Sequence, residues 1–203
     1  MTFSGIYAIV DDGFSNPLRI LDAALAAGIL LLQYRAKAGV DRDLLRAMLD
    51  RTRAAGAKLV VNDEFEAALV ADGWHAGQED LAGHDLREAR ARLGSRLFGI
   101  SAATPQEARV AEAGGADYVG TGPFAATASK DDAGAAIGVE GIAQVVAATR
   151  LPVVAIGGID LNNLEQAASS GAAMVAVISA SGRAAAPEAA ARALVEHWRR
   201  LRP

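Results

Sequence analysis

A rhythm of short apolar runs constrains this chain more than any other feature. Runs rich in β-branched residues recur at 5–10, 29–33, 58–61, 72–75, 97–101, 116–120, 152–156 and 173–178. Several are apolar at every position instead of at alternate ones, as expected of parallel strands covered on both faces. The intervals between them carry apolar residues at helical spacing, with start and stop signals. Asn16-Pro17 offers an N-cap followed by proline at the first helical position, and Gly28 closes that segment. Thr104-Pro105-Gln106-Glu107 combines a capping box with the same proline placement. Asp160 is expected to open a helix ending at Gly171, and Leu194, Trp198 and Leu201 form one apolar stripe of a last helix. The fourth unit is the weak one, because its helical segment, 84–93, is short and highly charged.

Eight strand–helix units of about 25 residues lie near the lower size limit of a (β/α)8 TIM barrel. A doubly wound open sheet is the rival architecture. No linker, low-complexity tract or charge block divides the 203 residues, so the α/β chain is expected to form a single TIM-barrel catalytic domain over 1–203. Hydrophobic residues make up 52% and charged residues 22%, enough apolar material for a sizeable core and incompatible with intrinsic disorder.

Charge and composition narrow the function. The formal net charge is −4, which argues against a sequence-independent nucleic-acid binder. Any anion must be held by a few placed cations. Cysteine is absent, which removes disulfides, cysteine nucleophiles and thiolate metal sites together. The first ten residues read as a strand and not a signal peptide, and no apolar stretch approaches the roughly 18 residues needed to span a bilayer. A cytoplasmic location is the expectation.

In such a barrel, chemistry collects at the carboxyl ends of the strands. The second strand ends in Gln33-Tyr34-Arg35-Ala36-Lys37, and alternation puts Gln33, Arg35 and Lys37 on one face with Tyr34 on the other. Two cations and an amide on one side of a buried strand call for an anionic partner. That partner is either a ligand or, for Arg35, a structural carboxylate. The third strand ends in Asn62-Asp63, and the fourth runs into Gly77-Gln78-Glu79-Asp80-Leu81. Asp63 can be read as an N-cap of the helix at 65–70, and Asp80 as a cap of its own turn. Two carboxylates on adjacent strand ends are also how Mg²⁺ is held, with waters and a substrate phosphate completing its shell. About 15 residues follow Gly122-Pro123 before Gly138, carrying Thr127, Ser129 and Lys130, and a connection of that length reads as a lid or binding loop. Gly157-Gly158 after the seventh strand and Ile178-Ser179 after the eighth occupy the recurring phosphate site of these barrels. Among the histidines, His75 reads as packed and hydrogen-bonded, His84 as part of a polar loop and His197 as a surface residue of the last helix. Nothing suggests a Ser-His-Asp arrangement.

These residues together resemble the thiamine phosphate synthase family, nearly end to end. The family's Q-x-R-x-K is present as Gln33, Arg35 and Lys37, its N-D as Asn62-Asp63, and its H-x-G-Q-E-D-L as His75 with Gly77 to Leu81. Gly99-Ile100-Ser101 matches the G-x-S element. Gly122-Pro123 with Thr127, Ser129 and Lys130 matches the lid, and Gly157-Gly158 with Ile178-Ser179-Ala180 the terminal turns. The resemblance implies a transferase that joins an aminopyrimidine methyl diphosphate to a thiazole phosphate (or its carboxylated form), releasing pyrophosphate and forming thiamine phosphate. It implies that Gln33, Arg35, Lys37, Asn62, Ser101 and Lys130 hold the pyrimidine diphosphate, with Arg35, Lys37, Lys130 and Ser101 carrying the catalytic load. It implies Mg²⁺ at Asp63 and Asp80, and a thiazole phosphate surrounded by Thr127, Ser129, Gly158, Ile178 and Ser179. The expected partners are these small molecules, with no nucleic acid or membrane, and a homodimer is an admissible assembly.

Four positions depart from the family. Ala125-Ala126 replaces the usual Phe-Pro before the lid threonine, and Ser129 replaces a common threonine but keeps the hydroxyl. Ala103 stands where many relatives carry histidine two residues after the serine. The thiazole tautomerases resemble this chain and would use that histidine as their acid–base group, so its absence argues for the synthase. A tautomerase-like or other phosphate-binding barrel isomerase is the alternative, and a non-catalytic ligand sensor the third reading.

Overall fold

The computed structural model describes residues 4–81, 83–127 and 134–201. Eight parallel strands close into a barrel, β1(Gly5–Asp11), β2(Leu31–Arg35), β3(Lys58–Asn62), β4(Gly73–Ala76), β5(Leu97–Ser101), β6(Tyr118–Thr121), β7(Val153–Ile156) and β8(Met174–Val177). Each strand pairs with the next, and β1 pairs with β8 through Gly5↔Met174 to Ala8↔Val177, which excludes the open sheet. The helices between them are α1(Pro17–Ala26), α2(Arg42–Ala54), α3(Phe65–Ala68), α4(Gln78–Leu81), α5(Leu86–Leu93), α6(Pro105–Ala113), α7(Gly138–Ala148), α8(Leu164–Ser169), α9(Ser179–Gly182) and α10(Pro187–Leu201).

Alternation along each strand separates two cores. Outward side chains such as Val10, Leu32, Tyr34, Leu59, Trp74, Phe98 and Val175 pack against Leu21, Leu45, Met48, Leu93 and Leu194 of the helices. Inward side chains fill the barrel with Tyr7, Ile9, Leu31, Val60, Tyr118, Val154, Met174 and Ala176. Each fully buried large apolar side chain contributes about 1.5–3 kcal/mol over exposure, so both layers are needed. The stripe of α10 is realised with Leu194 and Trp198 buried and Leu201 at the edge.

The capping signals are used, with two local changes. Asn16 accepts from the Arg19 amide at 3.0 Å at the start of α1. Thr104 accepts from Glu107 at 3.2 Å, but the Glu107 carboxylate turns to the Ala103 amide at 2.6 Å instead of to Thr104. The helix expected from Asp160 begins only at Leu164. Asp160 accepts from Asn162 N at 2.8 Å while Asn163 Oδ1 accepts from Asp160 N at 2.9 Å, and this side-chain turn competes with helix.

The fourth unit is short, as its sequence suggests, and aromatic rings occupy the space beside it. Trp74 stacks on Phe98 with centroids 5.3 Å apart and meets Phe65 edge-on at 4.8 Å. His84 lies exposed in the loop expected for it, and its ring rests 5.1 Å from Phe65 and 5.2 Å from Trp74.

Candidate functional site

The carboxyl ends of β1 to β5 form one polar rim. Strand β2 runs two residues further than its apolar run, because Arg35 pairs in register with Asp11 at the end of β1. Arg35 Nη1 donates to Asp11 Oδ2 at 2.6 Å, so the structural-carboxylate reading of its pairing is realised. Asp11 Oδ1 meanwhile accepts from Gly13 N at 2.9 Å, which fixes the carboxylate that orients the guanidinium. Two residues on, Lys37 is exposed in the loop after β2. That loop is tied down by Val40 N donating to Glu64 at 3.0 Å, and Arg42 pairing with the same carboxylate at 2.6 Å.

Asn62 ends β3, half-buried, opposite His75 in register. Asp63 follows with φ +62, the one non-glycine residue in left-handed backbone among the described residues. Asp and Asn tolerate that region better than other side chains, and such strain concentrates at functional positions. Its backbone is held on both sides, the amide donating to His75 O at 2.9 Å and the carbonyl accepting from Trp74 Nε1 at 2.9 Å. The capping reading of Asp63 is not realised: Glu64 is the N-cap of α3, and its side chain makes no cap bond. Asp80 lies on α4, directly after β4, and its Oδ2 accepts from Gly77 N at 2.9 Å. It therefore does cap its own turn, using one oxygen. Ser101 closes β5, and its carbonyl accepts from the Gln78 amide.

The other half of the rim is a glycine cradle. Gly157 and Gly158 follow β7 at φ +97 and +65. A Cβ on Gly158 would lie 2.7 Å from Ala126 O and 2.8 Å from Ala125 O, so glycine is required where the β6 loop crosses. That crossing is stapled by Phe124 N to Ile156 O at 2.8 Å and Ala125 N to Gly157 O at 3.0 Å. Asn163 Nδ2 donates to Gly158 O at 2.8 Å and sets the turn from the other side. Thr127 is half-buried at the end of the described part of this loop, and Ser129 and Lys130 lie outside the described residues. Ile178 follows β8 as the N-cap of α9, and Ser179 is the first, exposed residue of that helix. Every described residue of the expected site thus lies at this rim or just beneath it.

Gln33 is the one beneath. It points into the barrel, buried, and its Nε2 donates to Tyr7 OH at 3.0 Å. Tyr7 OH lies 2.9 Å from Tyr118 OH, Tyr118 OH 3.1 Å from His75 Nδ1, and His75 Nε2 3.1 Å from Ser101 Oγ. Burial pushes the Tyr7 and Tyr118 hydroxyls well above the usual tyrosine range. Burial lowers His75 to about 4, against the opposing charge of Asp80. His75 is packed and hydrogen-bonded, as its sequence context suggests, and neutral at pH 7. Asp11, Tyr7, Tyr118 and Asn163 are the rim and barrel residues that sequence reasoning missed. Period-two alternation was the available signal for the first two, since it aligns Tyr7, Ile9 and Asp11 on one face.

Two carboxylates suit a cation that keeps most of its waters. No group of three or more His, Cys, Asp or Glu residues able to hold a metal occurs among the described residues. The donors present fit Mg²⁺ only with phosphate oxygens and water sharing the shell.

A family described as thiamine monophosphate synthase (TMP-TENI) matches residues 6–181. The thiamine-phosphate synthase of Moorella thermoacetica is 46% identical over 191 residues, spanning 91% of this chain and 90% of its own. That of Chloroflexus aurantiacus is 39% identical over 197 residues, spanning 93% and 90%. Among solved structures, the thiamine phosphate pyrophosphorylase from Pyrococcus furiosus superposes with a TM-score of 0.89 at 30% identity, covering 100% of this chain and 98% of that one.

Proposed function

The chain belongs to the thiamine monophosphate synthase family and is a transferase that makes thiamine phosphate; from that premise we propose how its rim divides the work. The β2–β5 half takes the aminopyrimidine methyl diphosphate. Gln33, Asn62 and Ser101 hold the pyrimidine and its linkage, while Arg35, Lys37 and Lys130 neutralise the diphosphate. Asp63 and Asp80 would hold Mg²⁺, which offsets the charge of the leaving diphosphate. The β6–β8 half takes the thiazole phosphate, with Gly158, Ile178 and Ser179 as its cradle and Thr127 and Ser129 as its cover.

The carbon–oxygen bond to the diphosphate breaks first, leaving a methylene cation stabilised by the electron-rich aminopyrimidine. Pyrophosphate takes the bonding electrons in that step, and the thiazole nitrogen then donates its electron pair to the cationic carbon. Stabilising the charge that accumulates on the leaving group is the main task, and preorganised cations perform it. No general base is needed. Consistent with this, both ring nitrogens of the histidine at this rim already have partners. The loop over the cradle would keep water from the cation.

The observation that carries this reading is the convergence of Arg35, Asn62, Asp63, Asp80 and Ser101 at one rim, with Gln33 just beneath it, from four adjacent strands. Small molecules suffice as partners. No helix of the described residues is long and apolar enough to cross a membrane, and the net charge is −4. Action in the cytoplasm belongs to the proposal.

Pyrophosphate release with both substrates, with and without EDTA, tests it. Asp63→Asn, which keeps a side chain tolerant of φ +62, and Asp80→Asn should each lower turnover by roughly a hundredfold or more, with little change in unfolding temperature. Full turnover by both would remove the metal assignment. Interconversion of thiazole tautomers without the pyrimidine substrate, and no coupling, would move the reading to the tautomerase.

A further inference from the structure

A polar chain crosses the interior of the barrel, where apolar packing is the rule. It links Gln33 on β2, Tyr7 on β1, Tyr118 on β6, His75 on β4 and Ser101 on β5, through contacts of 3.0, 2.9, 3.1 and 3.1 Å. Space for it is built in. A Cβ on Gly99 would lie 2.5 Å from His75 Nδ1 and closer still to the Tyr118 hydroxyl, and one on Gly120 would lie 3.2 Å from His75 Cε1. The rings stay in contact, Tyr7 to Tyr118 edge-on at 5.9 Å and His75 to Tyr118 stacked at 5.5 Å. Two of the five residues, Gln33 and Ser101, are substrate-binding residues in the reading above. The three between them are not.

Proton counting gives the chain a direction. The Gln33 Nε2 group can only donate, so Tyr7 oxygen accepts there. Tyr7 is buried, and the Tyr7 proton therefore goes to Tyr118, its other partner. With its oxygen accepting from Tyr7, Tyr118 donates to His75 Nδ1. A neutral imidazole whose Nδ1 accepts carries its proton on Nε2, and that proton goes to Ser101 Oγ. The hydroxyl proton of Ser101 is then not spent within the chain and is available to a ligand. Reversing any one link reverses all the others, and Ser101 would then spend its proton on His75.

We propose that Tyr7, Tyr118 and His75 are positioning residues that relay the orientation of the Gln33 amide across the barrel and hold Ser101 as a hydrogen-bond donor to the pyrimidine diphosphate. Gln33 and Ser101 thereby grip that substrate as one unit, with no net proton movement. The inference rests on the substrate assignment under Proposed function, but the direction of the chain can be read without any substrate.

The test begins with the ¹⁵N shifts of His75 in the unliganded protein at pH 7. The Nε2–H tautomer is expected. The Nδ1–H tautomer would overturn the proposal, whatever the enzyme does. Tyr7→Phe removes the link nearest Gln33 and keeps the ring, and His75 should then populate Nδ1–H as well. An unchanged tautomer in Tyr7→Phe would show that Gln33 does not set the direction, and would also overturn the proposal. In steady-state assays Tyr7→Phe should raise the KM for the pyrimidine diphosphate about tenfold, the size of one misplaced hydrogen bond, and leave the KM for the thiazole phosphate unchanged. Equal changes in both would mark a merely structural role. Should Tyr7→Phe fold poorly, Tyr118→Phe breaks the same relay and should give the same split between the two KM values. Failure of the substrate assignment would appear differently, as the expected tautomers in a protein that does not couple the two substrates.

Discussion

The two rims of this barrel use the same side chains to opposite ends. At the amino ends of the strands, Asp72 accepts from Leu59 N at 3.0 Å beside Lys58, and Asp117 accepts from Phe98 N at 2.8 Å and from Arg90 at 2.9 Å. Each carboxylate caps the start of the neighbouring strand and pairs with a cation. Glu112 likewise takes the Thr149 hydroxyl at 2.6 Å and Arg150 through both its backbone and side chain, at 3.0 and 2.8 Å. At the carboxyl ends, Asp63 sits in left-handed backbone, Asp80 commits one oxygen to Gly77, and Lys37 is exposed. One rim uses its charges to close the barrel. The other carries its charges on the turns and loop that follow the strands, and accepts a left-handed residue at Asp63 to do so.

Substitutions at the two rims should therefore dissociate. Lys37→Ala is expected to lower kcat/KM about a hundredfold through lost stabilisation of the leaving group, with stability within ~0.5 kcal/mol of the parent. Asp117→Ala is expected to do the reverse, costing about 1–3 kcal/mol by orphaning the Phe98 amide while kcat/KM of the folded enzyme holds. Steady-state kinetics beside urea unfolding would check both, and a Lys37 variant that loses stability without losing turnover would erase the contrast. A smaller effect is expected at the cradle. Gly158→Ala puts a Cβ against two carbonyls at φ +65, and should raise the KM for the thiazole phosphate about tenfold while sparing the pyrimidine substrate. Equal rises for both substrates would mean that the cradle does not belong to one of them.

The barrel was legible because continuous apolar runs at a regular interval leave few other solutions, and the rim because polar residues interrupt those runs at their ends. What stayed hidden depends on register and on side-chain rivalry. The Arg35–Asp11 pair joins positions 24 apart and the Tyr7–Tyr118 pair positions 111 apart, both set by which strands become neighbours. A tyrosine on a buried strand reads as apolar bulk, so the hydroxyl that makes it part of a polar chain is invisible until its partner is placed. Asp160 promised a helix start, but Asn163 took the Asp160 amide with its Oδ1 and reached back to Gly158 with its Nδ2, closing a turn in place of the first helical turn. Asp63 looked like a cap because its spacing from Phe65 suits one, and only its backbone conformation shows otherwise.

Acid titration should separate the rims most finely. His75, near the functional rim, has its pKa lowered by burial from 6.5 to about 4, so the native state binds fewer protons than the unfolded chain between those values. Stability must then fall as pH drops from about 6.5 toward 4, by about 1 kcal/mol between pH 7 and 5.5. Glu112, at the closed rim, is lowered to about 2 by the Thr149 hydroxyl and Arg150. Its contribution is complete above the ordinary glutamate range and is lost only as pH falls from about 4.5 toward 2. Denaturant unfolding measured from pH 7 to 3 should show the first decline flattened in His75→Asn and the second flattened in Glu112→Gln. A His75→Asn protein that declines as steeply as its parent above pH 5 would mean that the imidazole is charged in the native barrel. Its Nδ1 could then accept no hydrogen bond from Tyr118, and the cost of keeping the polar chain neutral would have to lie elsewhere.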